Sequence, residues 1–198
     1  MVANDDFAHN VCASFSACVA DVPALMRQVH CNMQAMLRAR GYVLTFTTTD
    51  ADIAERMHAE RAIMTGTHPT RGDVCVFYHA TDKLGVGALR TLLQNTVAPR
   101  IIIVSTVGPT NFTRREGDPR GVQHFTYKEL SVDRAKHSLV PKHILVNAED
   151  HPDRHKYPKL LTSDPMSQYY DFLIGSVVRI ERVAGNSEVY NAYRIVCA

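Results

Sequence analysis

The 198 residues carry a formal net charge of +2, with 45% hydrophobic and 21% charged side chains, the balance of an ordinary globular chain long enough for one domain or two modest ones. No apolar run is long enough to span a bilayer, and so slight a charge excludes nucleic-acid binding by bulk electrostatics, leaving only local clustering to provide it. Cys12, Cys18, Cys31, Cys75 and Cys197 are odd in number and form no Cys-x-x-Cys pair, which reads as reduced thiols of an intracellular protein, and the acidic Asn4-Asp5-Asp6 start argues against a secretory signal.

Residues 1–16 are weakly patterned and are expected to fray. From Asp21-Val22-Pro23 onward, Leu25, Val29, Met33, Met36 and Leu37 recur at helical spacing and Gly41 supplies a left-handed cap, so an amphipathic helix is predicted whose methionines belong to the core. Tyr42 to Thr47 reads as a strand, followed by a second helix through Ile53, Met57 and Ala59 that Thr49 or Asp50 could cap. Residues 66–72 are a turn-rich break. Asp73 to His79 is a buried strand candidate, Leu89, Leu92 and Leu93 mark a helix, and Arg100 to Ser105 is apolar enough to be covered on both faces. Pro109 can open a short helix and Val122 to Tyr127 another strand. Helix and strand thus alternate around a small sheet, an α/β arrangement.

The chain turns polar from Lys128 to Lys136, and the domain boundary is placed there, giving 1–130 and 131–198. In the second part, Pro141 stands at the entrance of a strand over residues 143–146. Ser163-Asp164-Pro165 starts a short helix ending near Asp171 or Phe172. Val177 to Val183 and Val189 to Val196 form two more strands around a Gly185-Asn186-Ser187 loop. Three strands and one helix make an α+β unit near the lower limit for an independent core, so it needs its own chain or a larger partner to lean on.

Few residue sets suggest chemistry. Gly85-x-Gly87 precedes a helix but Arg90 stands where a dinucleotide loop needs its third glycine, so a turn and helix entry explain the pair. His151 and His155 are interrupted by Pro152, and His137 and His143 flank the Leu139 stretch; all four read as solvent-exposed histidines rather than metal ligands. Cys75 and His79 sit roughly 13 Å apart along one strand, too far for a thiol–imidazole pair. A metal-dependent nuclease would need converging carboxylates, but the strand after Asp73 offers Cys75, Phe77 and His79. No catalytic, cofactor or metal set assembles. Arg114-Arg115 with Arg120, beside Thr110, Asn111 and Thr113, suit phosphate contact, although Glu116 and Asp118 are interspersed.

Leu139-Val140-Pro141-Lys142-His143, Ser163-Asp164-Pro165, Gly175-x-Val177-Val178-Arg179-Ile180 and Tyr193-Arg194-Ile195 resemble, in order, the C-terminal assembly domain of the fifth common subunit of eukaryotic nuclear RNA polymerases, a domain that has an archaeal counterpart. Arg40-Gly41-Tyr42 and Leu84 to Leu92 resemble, less specifically, the N-terminal jaw domain of the eukaryotic subunit. The resemblance implies a non-catalytic structural subunit without a cofactor, nuclear and not membrane-bound, and not a homo-oligomer. It also implies an α/β jaw joined to a small α+β assembly domain. That domain would dock on the largest polymerase subunit, among other subunits, through Pro141, Lys142, His143, Asp164, Pro165, Val178, Arg179, Tyr193 and Arg194. The jaw would approach downstream DNA near Thr110, Asn111, Arg114 and Arg115.

Two regions depart from the family pattern. Residues 147–162 are shorter and broken by Pro152 and Pro158, and the Arg-x-Ser-Glu-Thr-x-Gly loop is replaced by Arg182-Val183-Ala184-Gly185-Asn186-Ser187-Glu188. These departures suggest a paralogue serving one polymerase, such as the nucleolar ribosomal-RNA enzyme. The competing reading is a stand-alone α/β nucleic-acid-binding protein or metal-dependent nuclease.

Overall fold

The computed structural model describes residues 22–79, 84–183 and 188–198, so the expectation for residues 1–16 and the Gly185 loop lie outside the described residues. The chain divides into two compact units, 1–132 and 133–198.

In the first unit, the predicted amphipathic pattern becomes helix α1, Val22–Ala39, which buries Met26, Val29, Met33, Met36 and Leu37. It ends in two bonds that satisfy carbonyls of its last turn: Gly41 N–H donates to Arg38 O at 2.9 Å and Tyr42 N–H to Leu37 O at 3.0 Å. This pairing needs a left-handed residue between them. Gly41 has φ 88°, which is why glycine stands there.

Strands β1 (Val43–Thr47), β2 (Met64–Thr67), β3 (Val74–Tyr78), β4 (Arg100–Ser105) and β5 (Val122–Thr126) form one sheet in sequence order. The first three are antiparallel, and β3, β4 and β5 run parallel. The short helix α2, Ile53–His58, separates β1 from β2. Asp52 occupies its N-cap, with no side-chain cap bond, where the sequence pointed to Thr49 or Asp50. The break expected over residues 66–72 begins later than the sequence suggests, because β2 extends through Thr67.

Helix α3, Val86–Gln94, connects β3 to β4, and α4, Asn111–Gly117, lies between β4 and β5. Leu89, Leu92 and Leu93 of α3 pack with Phe77, Ile101 and Ile103. On the opposite face Val76, Tyr78, Ile102 and Val104 are buried, and His30 of α1 meets Tyr78 edge-on at 6.3 Å between ring centroids. Both sides of β4 are therefore covered, as its unbroken apolar run predicts.

After β5, Thr126 and Glu129 form a reciprocal capping box on the single turn α5, Tyr127–Leu130. Asn32 of α1 donates to Leu130 O at 2.8 Å, so this turn is fastened to the helix that opens the unit. The buried Tyr127 hydroxyl donates to His79 O at 3.0 Å.

In the second unit, β6 (Lys142–Val146), β8 (Val177–Val183), β9 (Val189–Cys197) and β7 (Lys159–Leu161) lie side by side in that order. The predicted three strands are thus four. The three-residue β7 was missed because it pairs parallel with the end of β9 and is too short to show a period. Helix α6, Pro165–Tyr170, starts on the predicted signal: the Asp164 carboxylate accepts from Met166 N and Ser167 N, and Asp171 closes the helix in the left-handed region. Leu160, Phe172, Val178, Ile180 and Val196 make the core.

Two glycines separate conformational need from packing. A Cβ at Gly41 would carry a positive φ and lie 3.0 Å from His68 Nε2, whereas nothing lies within 4 Å of a Cβ at Gly87. In urea unfolding, Gly41→Ala should cost about 1–2 kcal/mol, while Gly87→Ala, inside α3, should stabilise by roughly 0.5–1 kcal/mol. A dinucleotide loop that needed Gly87 would predict loss of function from the second variant.

Candidate functional site

The residues that the resemblance marked for docking lie in the second unit, and sheet register decides which of them share a face. Lys142 pairs with Glu181, His143 with Ile180 and Ile144 with Arg179; Val178 pairs with Arg194 and Arg179 with Tyr193. Side chains alternate along strands, so His143, Val178 and Arg194 belong to the face that carries the core, and Lys142, Arg179 and Tyr193 to the other. The structure therefore does not gather them into one patch.

Their surroundings differ as well. Val178 is wholly buried, so it shapes the sheet and offers no surface. Asp164 and Pro165 are the start of α6, with the Asp164 carboxylate 2.8 Å from Met166 N. Half-buried Pro141 precedes β6, and Lys142 is exposed. His143 Nδ1 donates to Pro141 O at 2.8 Å; burial lowers the pKa of His143, with Arg182 and Arg194 pushing the same way against the Pro141 bond and the Asp164 charge. Arg179 sits 3.3 Å from Glu181, and Arg194 donates to Lys159 O at 3.0 Å.

Tyr193 is half-buried because the segment after β6 folds over it. That segment makes two 3₁₀ turns, Ala148–Asp150 and Arg154–Lys156, and lays His151 and Tyr157 on the ring, at centroid distances of 4.8 and 5.7 Å. His151 Nδ1 also bonds the Tyr157 hydroxyl at 2.9 Å. His151 is therefore not the free solvent-exposed histidine of the sequence reading: aromatic packing holds it, His143 is half-buried too, and of those four histidines His137 and His155 are exposed. At the other end of the sheet an open cleft of about 750 Å³ is lined by Leu139, Pro141, Arg182, Val183, Val189 and Tyr190. Its exposed apolar side chains are unmarked in the sequence, since alternation reveals a buried face and not what an outer one leaves bare.

In the first unit, Thr110 caps α4: its hydroxyl oxygen accepts from Thr113 N at 3.2 Å, and the Thr113 hydroxyl donates to Leu84 O at 3.2 Å. Thr113 is completely buried, and this pins the helix so that Asn111, Phe112, Arg114 and Arg115 face outward. Glu116 is held in a two-pronged contact by Arg90 at 2.8 and 3.0 Å, which lowers its pKa and cancels its charge against the neighbouring arginines. Arg120 separates from the set, because it donates to Leu93 O and Thr96 O at the end of α3. Phe112, 74% exposed, was not singled out from the sequence.

Among the described residues no group of three or more His, Cys, Asp or Glu side chains could hold a metal ion, and no helix is long and apolar enough to cross a membrane. Cys31, Cys75 and Cys197 are free thiols.

Residues 132–196, which span nearly the whole second unit, match the family model of the RNA polymerase Rpb5 C-terminal domain. The archaeal DNA-directed RNA polymerase subunit Rpo5 of Methanothermobacter thermautotrophicus is 31% identical over 71 residues, which cover 90% of that protein and 31% of this chain. The chain belongs to the Rpb5 family of RNA polymerase subunits. Similarity to Rpb5 proteins also runs beyond the second unit. Subunit rpabc1 of RNA polymerases I, II and III from Dictyostelium discoideum is 27% identical over 188 residues, 85% of this chain and 95% of the relative. Its counterpart in Caenorhabditis briggsae is 29% identical over 136 residues, 61% of this chain. The chain spans 64% of that nematode relative's length.

Two histidines of this Rpb5-family chain tie its stability to pH. Burial lowers the pKa of His30 in the first unit and of His143 in the second below the ordinary 6.5. The unfolded chain then binds more protons than the folded one between the lowered values and 6.5, so stability is fully present above pH 6.5 and declines as pH falls below it. Thermal melts between pH 7.5 and 5 should show a falling midpoint, with a shallower fall in a His30→Gln/His143→Gln variant. Removing the Asp164 cap as Asp164→Ala should cost about 1 kcal/mol at neutral pH.

Proposed function

We propose that this chain is a non-catalytic structural subunit of a nuclear DNA-directed RNA polymerase. Its second unit acts as the assembly domain that docks on the largest subunit, and its first unit as a jaw near downstream DNA. The observation that carries this reading is the match of the Rpb5 C-terminal domain over residues 132–196, which form a separate compact unit of small size with exposed apolar side chains at Leu139, Leu145, Val183 and Val189. A unit of about 65 residues gains from a partner that covers such surface. Half-buried Pro141, His143 and Arg194, with the cleft beside Pro141, form one part of the docking set together with exposed Pro165; Asp164 caps the helix and buried Val178 shapes the sheet behind them. Lys142, Arg179 and Tyr193 lie on the other face, where the folded segment 147–158 would be part of any contact.

In the jaw, Thr110, Asn111, Arg114 and Arg115 are the groups proposed to approach DNA. The exposed guanidiniums of Arg114 and Arg115, with Glu116 neutralised by Arg90, support phosphate contact there. The stand-alone nuclease alternative has no converging carboxylate set among the described residues to build on.

The proposal extends to service in a single polymerase, the ribosomal-RNA enzyme of the nucleolus. Its support is the rebuilt segment 147–162, which folds onto Tyr193 where a subunit shared among polymerases would keep a surface acceptable to several partners. Affinity purification of the tagged chain, with identification of the largest subunits that accompany it, tests both levels. One largest subunit is expected; all three would refute specialisation, and none would refute the subunit reading. Arg114→Ala/Arg115→Ala should weaken crosslinking of the assembled polymerase to downstream DNA, with a larger loss of affinity at low salt than at high salt because lost phosphate contacts flatten the salt dependence. An unchanged crosslink would remove this surface from the jaw.

A further inference from the structure

Strand β6, Lys142–Val146, is an outer strand of its sheet: β8 lies on one side of it and no strand of the described residues on the other. Hydrogen-bond directions within the sheet decide which of its backbone groups that leaves open. Val196 N–H donates to Ser176 O at 2.9 Å, while Ile195 N–H turns the other way, to Pro158 O at 3.1 Å. Even-numbered residues of β8 therefore bond to β9 and odd-numbered ones to β6, where they meet Lys142, Ile144 and Val146. The N–H and C=O of His143 and Leu145 point to the open side, and among the described residues nothing bonds to them.

Native sheets usually protect such edges against stray pairing. The opposite edge of this sheet, β7, has three residues. In the other sheet, β1 breaks register between Leu44 and Phe46, and β5 sets polar Gln123 and His124 at its middle. β6 instead runs five residues in unbroken register and places Ile144, Leu145 and Val146 in a row, with Leu145 53% exposed. Lys142, at its first position, is exposed and makes no ion pair among the described residues.

The chemistry of the edge selects what covers it. Backbone donors and acceptors alternating two residues apart are matched by another extended polypeptide. A phosphate backbone offers acceptors only, and a helix uses its own groups internally. A second copy of the chain fits less well, because β6 contains no carboxylate. An antiparallel copy centred on Ile144 sets Val146 against Lys142, and a parallel copy in the same register sets Lys142 against Lys142.

We propose that β6 takes up a fifth strand, an extended segment of a polymerase partner that is apolar where it passes Ile144, Leu145 and Val146 and acidic opposite Lys142. This rests on the reading of the second unit as the assembly domain, and it adds the manner of docking and the chemistry of the partner segment.

The test is hydrogen exchange, read at single residues, in the purified polymerase that contains the chain and in the full-length chain alone. The amides of His143 and Leu145 should exchange at least about tenfold more slowly in the polymerase, while that of Ile144, bonded to β8, is slow in both. Leu145→Pro removes an outward N–H at an edge position that tolerates proline, so the free variant should melt close to the wild type. It should lower recovery of the largest subunit with the tagged chain about tenfold, and Leu145→Ala, which keeps the N–H, should lose less. Should Leu145→Pro fail to fold, Lys142→Glu on the surface should still lower that recovery, and the exchange of the wild-type chain needs no variant. If both amides exchange alike in polymerase and free chain, strand addition is overturned, while recovery of the wild-type chain with the largest subunit keeps the assembly reading. If they are protected in the free chain and it sediments as a dimer, the occupant is a second copy and the proposal is overturned. If the wild-type chain accompanies no polymerase subunit, both readings are overturned.

Discussion

Seven consecutive pairs, from Val177↔Ile195 to Val183↔Val189, join β8 to β9, and the remainder of the second unit is attached to that ladder. β6 adds along one side of β8 and β7 along the far side of β9. Because strand side chains alternate with a period of two, the register also fixes what each face presents. In the observed register Val178, Ile180 and Val196 meet Leu160 and Phe172 in the core, while Arg179 and Tyr193 point away from it. A slip by one residue would bury Arg179 and expose Val178. The folded segment over Tyr193 and the cleft beside Pro141 both depend on this alternation.

The first unit solves a different problem. Its central parallel strand β4 is buried on both sides, so its surface chemistry is delegated to helices and loops, as in other sheets of this kind. The inward bond of Thr113 to Leu84 O decides which residues of a seven-residue helix face solvent. The pairing of Arg90 with Glu116 then leaves the neighbouring arginines without a competing carboxylate from their own helix. Surface charge here follows from packing, which is why a chain of net charge +2 can still offer a locally cationic patch.

Long periodic elements were legible in the sequence: α1, the buried β4, the Asp164-Pro165 helix start and the β8–β9 pair all carry their signals locally. β2 and β7 were not, since four and three residues show no reliable alternation and their pairing partners are distant in sequence. The site was less legible than the fold. Sequence resemblance grouped Val178, Arg179, Tyr193 and Arg194 together, whereas strand alternation distributes them over two faces and a core. His151 looked like a solvent histidine because its partner Tyr193 lies far along the chain, and Arg120 looked like a companion of Arg114 until its bonds to the end of α3 were seen. Each of these distinctions depends on a long-range contact, which composition and spacing do not record.

The central claim is that this chain works as a built-in part of a polymerase, and the most direct measurement of it is the size of the particle in which the native chain resides. Gradient sedimentation of an unfractionated nuclear extract should place the chain with the largest polymerase subunit, far above the 22.1 kDa of the chain alone, and salt below the point of polymerase dissociation should not release it. Sedimentation of the chain as a free 22.1 kDa monomer, apart from every polymerase subunit, would contradict the account.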